Sequence, residues 1–422
     1  MSNTQDRLRD ATTALGSTLQ AADIPPLRLP DATLPSRAAA RRPGRPVFGR
    51  WLVPLATAVA VIAILALVVA VRGLPTRPHP AGGAAQLVRW PVRGHARWTA
   101  WSETGRQSGK LVTDAVAASG PGSAWVFATD PGTRLRPIAW RLSGSSWTQV
   151  HFPGRRGEDI NALGASSPAD AWVFTSANRA LHWDGRAWRV VSGFPGRHVG
   201  NALVIGPSDV WVFGNPYTDA GLNGSHTTWH YNGRAWTPVG AAAWLRYASS
   251  TSASDIWAAG GSWNAVIGHW NGTAWDKVSV ASLLPPRTQY CGPLVTDIDA
   301  VSAADAWATG WQGCQDTGGQ AVLLHYAGGR WHRVARLGAV DPSIVSAGKG
   351  AVLIQLDPDP QQPGHVKVVR YAGGTLHQVA VPLVSQIVAP SGTVLPDGTS
   401  FFAGTHNLGR HRTAGFVLRY RP

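Results

Sequence analysis

Charge is scarce in this chain. Asp, Glu, Lys and Arg make up 14% of its 422 residues while apolar residues make up 44%, which excludes a sequence too polar to build a large core. Catalytic signatures are missing too. There is no Gly-x-Ser-x-Gly, no His-Glu-x-x-His, no phosphate loop and no sialidase-type Asp-box series, so no hydrolase or nucleotide-binding motif is legible. Methionine occurs once and cysteine twice. What is abundant is glycine (48), proline (31) and tryptophan (21). That mixture points to short strands joined by turns, not to helices.

The formal charge is +15, and of 38 basic residues all but four are arginine. The skew matches a GC-rich genome of the actinobacterial kind. The basic residues are scattered, so codon bias accounts for the high pI better than attraction to anionic envelope polymers does.

One uncharged run stands out. Trp51 to Val71 reads WLVPLATAVAVIAILALVVAV, 21 residues, and about 20 suffice to cross the hydrocarbon core as a helix. Arg41, Arg42, Arg45 and Arg50 precede it closely, which puts the N-terminus in the cytoplasm. The lead and the apolar run are both too long for a cleavable signal peptide. The expected organisation is a cytoplasmic tail over 1–50, a transmembrane helix over 51–71, a Pro/Gly linker over 72–85 and a folded domain over 86–422. The tail, broken by Pro25, Pro26, Pro30, Pro35 and Pro43, is too small for a core. It is mostly disordered on this reading, with docking to a cytoplasmic partner as its functional alternative. The localisation is the plasma membrane, single-pass, with the C-terminal domain extracytoplasmic. Nucleic acid is not expected as a partner there.

From about residue 86 the chain repeats. Ser167–Phe174 (SPADAWVF), Gly206–Gly214 (GPSDVWVFG), Ser252–Gly260 (SASDIWAAG) and Ser302–Gly310 (SAADAWATG) are each followed by a second piece. The second pieces are LHWDGRAW, WHYNGRAW, GHWNGTAW and LHYAGGRW, ending at Trp188, Trp236, Trp275 and Trp331. With weaker copies, the first aromatic or its substitute falls at 125, 172, 211, 257, 307, 352 and 401, a mean step of 46 residues. A period in the forties fits four short strands per unit. The prediction is an all-β propeller of about seven blades, with strand a before the Asp, b carrying Asp-x-Trp, c carrying the His, and d starting at the second Trp. Asn-Gly, Asp-Gly and Gly-Gly predict tight c–d hairpin turns.

This pattern of inner Asp-x-Trp-x-x-Gly and outer Tyr/Trp-(Asp/Asn)-Gly-x-x-Trp resembles kelch-like and Asp-box-like propellers, and sensor-type propellers of bacterial envelope proteins. Most units lack the kelch Gly-Gly doublet after strand b, and the Asp-box order is absent. The resemblance implies a fold and not an activity.

The repeated residues read as scaffold. His182, His230, His269 and His325 share one repeat position, and neighbouring blades hold such positions too far apart for one metal with ligands at about 2 Å. No metal site and no cofactor is predicted. Asp170, Asp209, Asp255 and Asp305 are expected to cap N–H groups of the a–b turns, and the repeated tryptophans to pack between blades.

Function is expected where the repeat varies. The interval from the strand-c His to the strand-d Trp is always 6, whereas the b-to-c connection varies from 7 to 16 residues. In a propeller the b–c and d–a connections share one face, and loops on a constant scaffold are where binding sits. Candidate ligand-binding residues on that face are Arg134, Arg136, Arg155, Arg156, Tyr217, Asp219, His226, Trp263, Tyr290 and Trp311. Arginines with aromatics suit an envelope glycan, an anionic peptide or a protein. The expected function is a membrane-anchored binding or sensing propeller. The alternative is a membrane-tethered glycan hydrolase or lyase with its site at the channel mouth, since a propeller can assemble a site from several blades.

Two further expectations concern closure. Cys291 and Cys314, the two cysteines, flank one a–b hairpin on the oxidising side and are expected to form a disulfide. The last unit reaches strand c at Leu418-Arg419-Tyr420 with no strand d after it, while Gly94–Trp98 resembles an outer-strand segment placed early. Residues near His95 to Trp101 are therefore predicted to pair antiparallel with residues near Phe416 to Tyr420, closing the ring and removing two bare edges.

Overall fold

The computed structural model describes residues 86–90, 97–104, 112–130, 136–195, 199–214, 228–239, 245–260, 264–284, 292–312, 320–338, 341–348, 351–357, 367–381, 387–409 and 412–421. The predicted tail, transmembrane helix and linker lie outside the described residues, as do both cysteines of the predicted disulfide.

Alternating apolar residues in short runs produce seven antiparallel sheets, six of four strands and one of five. Blade 2 is typical. Ile160–Ser167, Asp170–Thr175, Ala180–Trp183 and Trp188–Val191 follow one another as strands a to d. The a strand of each blade packs on that of the next, and Ile387–Val394 of blade 7 packs on Val112–Gly120 of blade 1. The chain is a seven-bladed β-propeller.

The closing blade takes its fourth strand from the N-terminal side. Trp98–Thr104 pairs antiparallel with Arg412–Tyr420, in the register Trp98↔Tyr420 to Ser102↔Phe416. A fifth strand, Gln86–Trp90, then pairs outside it, an addition the repeat pattern did not announce. Trp98 packs on Phe402 and Tyr420 at 5.6 and 4.9 Å between ring centroids.

The tryptophans fill the seams between blades, as expected. Trp172 of blade 2 meets Tyr231 and Trp236 of blade 3, Trp211 meets Trp270 and Trp275, and Trp257 meets Tyr326 and Trp331. Edge-to-face contacts of this kind add about 0.5–1.5 kcal/mol each beyond burial. The seam between blades 5 and 6 is thinner. Across it Trp307 meets Tyr371 alone among the described aromatics of blade 6, and Leu376, where other blades place Trp, is 39% exposed.

The c–d turns correct one expectation. In blades 2 to 4 they are four-residue loops, bounded by Trp183↔Trp188, Tyr231↔Trp236 and Trp270↔Trp275. The Asp184, Asn232 and Asn271 side chains each accept two turn N–H groups. Two-residue turns occur at Gly328-Gly329 and Gly373-Gly374, where both φ angles are positive. The glycine of the longer loops has two reasons to be there. Gly233 has φ +87°, and a Cβ on it would lie 2.7 Å from Ser208 Oγ of the a–b turn.

Candidate functional site

The repeated polar residues bond to one another. In blades 2 to 5 the strand-c His Nε2 lies 2.7–2.8 Å from Oδ1 of the Asp of its own blade. Each imidazole stacks on the Trp of strand b at 3.8–4.5 Å between ring centroids. Trp172 and Trp211 also donate their indole N–H to that carboxylate. In blades 2 and 4 a bulged hydroxyl, Ser166 or Thr251, donates to the other oxygen. The aspartates therefore do not cap the turns. The side chain folds back along strand b to hold the His, and Ser167, Ser252 and Ser302 accept the turn N–H groups instead.

Blades 1, 6 and 7 lack this Asp and place Arg, as Arg141, Arg370 and Arg419, where blades 2 to 5 have His. Arg141 donates to the Pro168 carbonyl of blade 2 at 3.0 Å, and Arg419 to the Pro121 carbonyl of blade 1 at 2.6 Å. The two arginines tie blade to blade beside the closure, a pattern concealed in sequence by the change of residue type.

A carboxylate pair lies on the inner strand of blade 5, Leu294–Ser302. The Asp297 carboxyl is enclosed although the residue is only half-buried, and its oxygens accept the Ile298 and Ile344 N–H groups at 2.8 and 3.0 Å. Asp299 accepts the Ser249 hydroxyl of blade 4 at 2.7 Å. Burial, with Asp299 nearby, pushes the Asp297 carboxyl up to about 7, against the pull of the two N–H groups. The pair links blade 5 to blades 6 and 4. A hydrolytic reading needs carboxylates open at the channel mouth, and these are engaged in the seams.

The loop-rich face is the one predicted. Ile160 pairs with Thr175 and Leu294 with Trp311, so each d–a connection meets the b–c connection of its blade at one end of the sheet. Among the predicted ligand-binding residues, Arg134, Tyr217, His226, Trp263 and Tyr290 lie outside the described residues, as does Asp219. Trp311 is not a loop residue. It sits half-buried inside strand b of blade 5, Asp305–Gln312, paired with Leu294 and Ala321. The register of that long b–c hairpin carries the strand past the conserved-length part of the repeat.

The other three lie on two neighbouring segments. Arg136 opens strand c of blade 1, Arg136–Ser143, and is exposed. Arg155 and Arg156 are exposed on the connection to blade 2, and Gly154 is pressed so close to Pro137 that a Cβ would reach 3.0 Å. Beneath them lies a residue that sequence reasoning passed over. Glu158 is 1% exposed and pairs with Arg179 at 2.8 Å. It also accepts the Arg155 N–H at 2.6 Å and the Thr175 hydroxyl at 2.6 Å, while Arg179 donates to the Pro153 carbonyl. Burial pushes the Glu158 carboxyl up, but the Thr175 hydroxyl, the Arg155 N–H and Arg179 outweigh it and hold it below the usual carboxylate range. The signal available in sequence was Arg-Arg-Gly-Glu, with Gly157 at φ +72° forming the turn.

No family model matches the chain, and no curated protein matches it in sequence. Solved structures do. YCF48 bound to D1 peptide is similar at TM-score 0.50 and 13% identity, over 79% of this chain and 99% of that one. The extracellular domain of BT4673 from B. thetaiotaomicron, named as a hybrid two component system, is similar at TM-score 0.50 and 12% identity. That match covers 79% of this chain and 39% of the other, so the chain spans about two fifths of its length. At these identities the likeness is one of fold, and the fold is the seven-bladed β-propeller.

Proposed function

We propose that this chain is a single-pass plasma-membrane protein whose extracytoplasmic propeller binds or senses a peptide or protein of the cell envelope at its loop-rich face. One observation carries the binding reading. The repeated polar residues are spent on the scaffold, whereas the connections of variable length share one face and carry exposed arginines outside the repeat. The apolar run 51–71 behind four arginines supports the anchor and its orientation. Propellers of this fold include one bound to a peptide and one named as an extracellular domain, which favours a peptide or protein over a glycan. The test is a pull-down with the propeller, residues 73–422, against membrane-protein and cell-wall fractions. A specific protein retained by the wild type supports the reading; retention of wall glycan alone overturns it. A reporter fused after Pro422 that is active only in the cytoplasm overturns the orientation.

A further inference from the structure

We propose that the turn Pro153–Glu158, with Arg136 beside it, is an anion-binding site for the carboxylates of an acidic peptide segment. This rests on the binding reading above and names the chemistry of the partner.

The site is built from below. A buried ion pair is a poor source of stability, because desolvating two charges offsets most of their attraction. The Glu158–Arg179 pair does something else. It holds the Arg155 N–H and the Pro153 carbonyl at once, and the Glu158 N–H closes the turn on the Arg155 carbonyl at 3.3 Å. The Asp159 N–H and carbonyl bind Ser176 of the facing loop at 2.9 and 3.0 Å. The turn backbone is therefore fixed at both ends, while the Arg155 and Arg156 side chains are exposed. Among the described residues no carboxylate forms an ion pair with Arg136, Arg155 or Arg156, and the neighbouring exposed Asp159 forms none with them. Two of the three guanidinium groups, those of Arg155 and Arg156, extend from a fixed turn, so no backbone has to be ordered on binding, and each of the three is a planar fork matched to a carboxylate.

The surroundings favour a peptide over a sugar polymer. Phe152, the aromatic ring nearest the turn in sequence, is turned inward against Phe127 and Trp188 at 4.9 and 5.6 Å. That ring is not available for a sugar to stack on, whereas the guanidinium groups of Arg155 and Arg156 are open to carboxylates.

The test uses the full chain in detergent and a fluorescein-labelled oligoglutamate peptide, read by anisotropy. The expected result is saturable binding, weakened by salt, that drops about tenfold in each of Arg155→Ala and Arg156→Ala. Glu158→Gln keeps both arginines but releases the turn, and should weaken binding as well. The control is Arg330→Ala, Arg333→Ala and Arg336→Ala together, which removes three exposed arginines from the outer strand of blade 5, Arg330–Gly338. It should leave affinity unchanged. An equal loss in the control, or none in the turn variants with an unchanged unfolding midpoint, overturns the site. Tighter competition by a polyol-phosphate polymer with the same arginine dependence overturns the peptide assignment. A pull-down partner held independently of these arginines refutes this inference and leaves the binding reading standing.

Discussion

Asp297 should make the propeller lose stability as the medium turns from mildly acidic to neutral. In the unfolded chain its carboxyl ionises near 3.8, whereas in the folded chain burial defers ionisation to about 7. The sign follows from which state holds the proton. Below about pH 4 both forms are protonated and the group contributes nothing. Between 4 and 7 the unfolded state releases its proton and the folded state keeps it, so stability falls by about 1.4 kcal/mol per pH unit. Above 7 the full cost, about 4 kcal/mol at most, is in place. Other groups titrate in this range, so the informative quantity is the difference from Asp297→Asn. The amide cannot ionise, but its NH2 cannot accept one of the two N–H bonds from Ile298 and Ile344, a pH-independent loss of about 1–3 kcal/mol. Guanidinium unfolding of residues 79–422, followed by tryptophan fluorescence, should show the variant gaining on wild type by about 3 kcal/mol between pH 5 and pH 8, so that it is the more stable of the two at the upper end. Parallel stability curves across that range would refute an Asp297 that stays protonated in the fold.

Three other outcomes are expected. Deleting residues 86–101, or truncating after Gly415, should unfold the whole propeller cooperatively, because the ring closes through Trp98–Thr104 on Arg412–Tyr420; loss of one blade with the remaining transition unchanged would show that closure is dispensable. Asp170→Ala should destabilise more than Asp305→Ala, by about 1–3 kcal/mol. The Asp170 side chain is 4% exposed and serves Ser166, Trp172 and His182, while that of Asp305 is 29% exposed against His325; equal losses by thermal unfolding would contradict this. Cys291 and Cys314 should be bonded in protein prepared without reductant, closing a loop worth roughly 3 kcal/mol, and two titratable thiols in the denatured, unreduced chain would reject it.

The blade count, the strand order and the closure were legible in sequence because each depends on a repeated local rule. A strand needs alternating apolar residues, a turn needs Gly or Asx, and a seam needs a large ring at a fixed step. Even the missing fourth strand of the last blade could be located, since Trp98 occupies a repeat position out of order. What the Asp and His do could not be read in this way. Spacing shows that Asp170 and His182 recur together, but only the pairing Trp172↔His182 places one ring over the other, with the carboxylate at their edge. The substitution of Arg141 and Arg419 for that pair is likewise invisible, because their partners are carbonyls of another blade. The arginine turn is a mixed case. Arg136, Arg155 and Arg156 were candidates as exposed bases on variable loops. Their neighbourhood depends on Gly154 packing against Pro137 of blade 1, and the fixed backbone of the turn on Glu158, an acidic residue in a polar stretch that sequence alone would leave in solvent. Local chemistry determined the propeller; register, which brings residues 12 to 298 positions apart into contact, decided which of its polar groups are scaffold and which are left to bind.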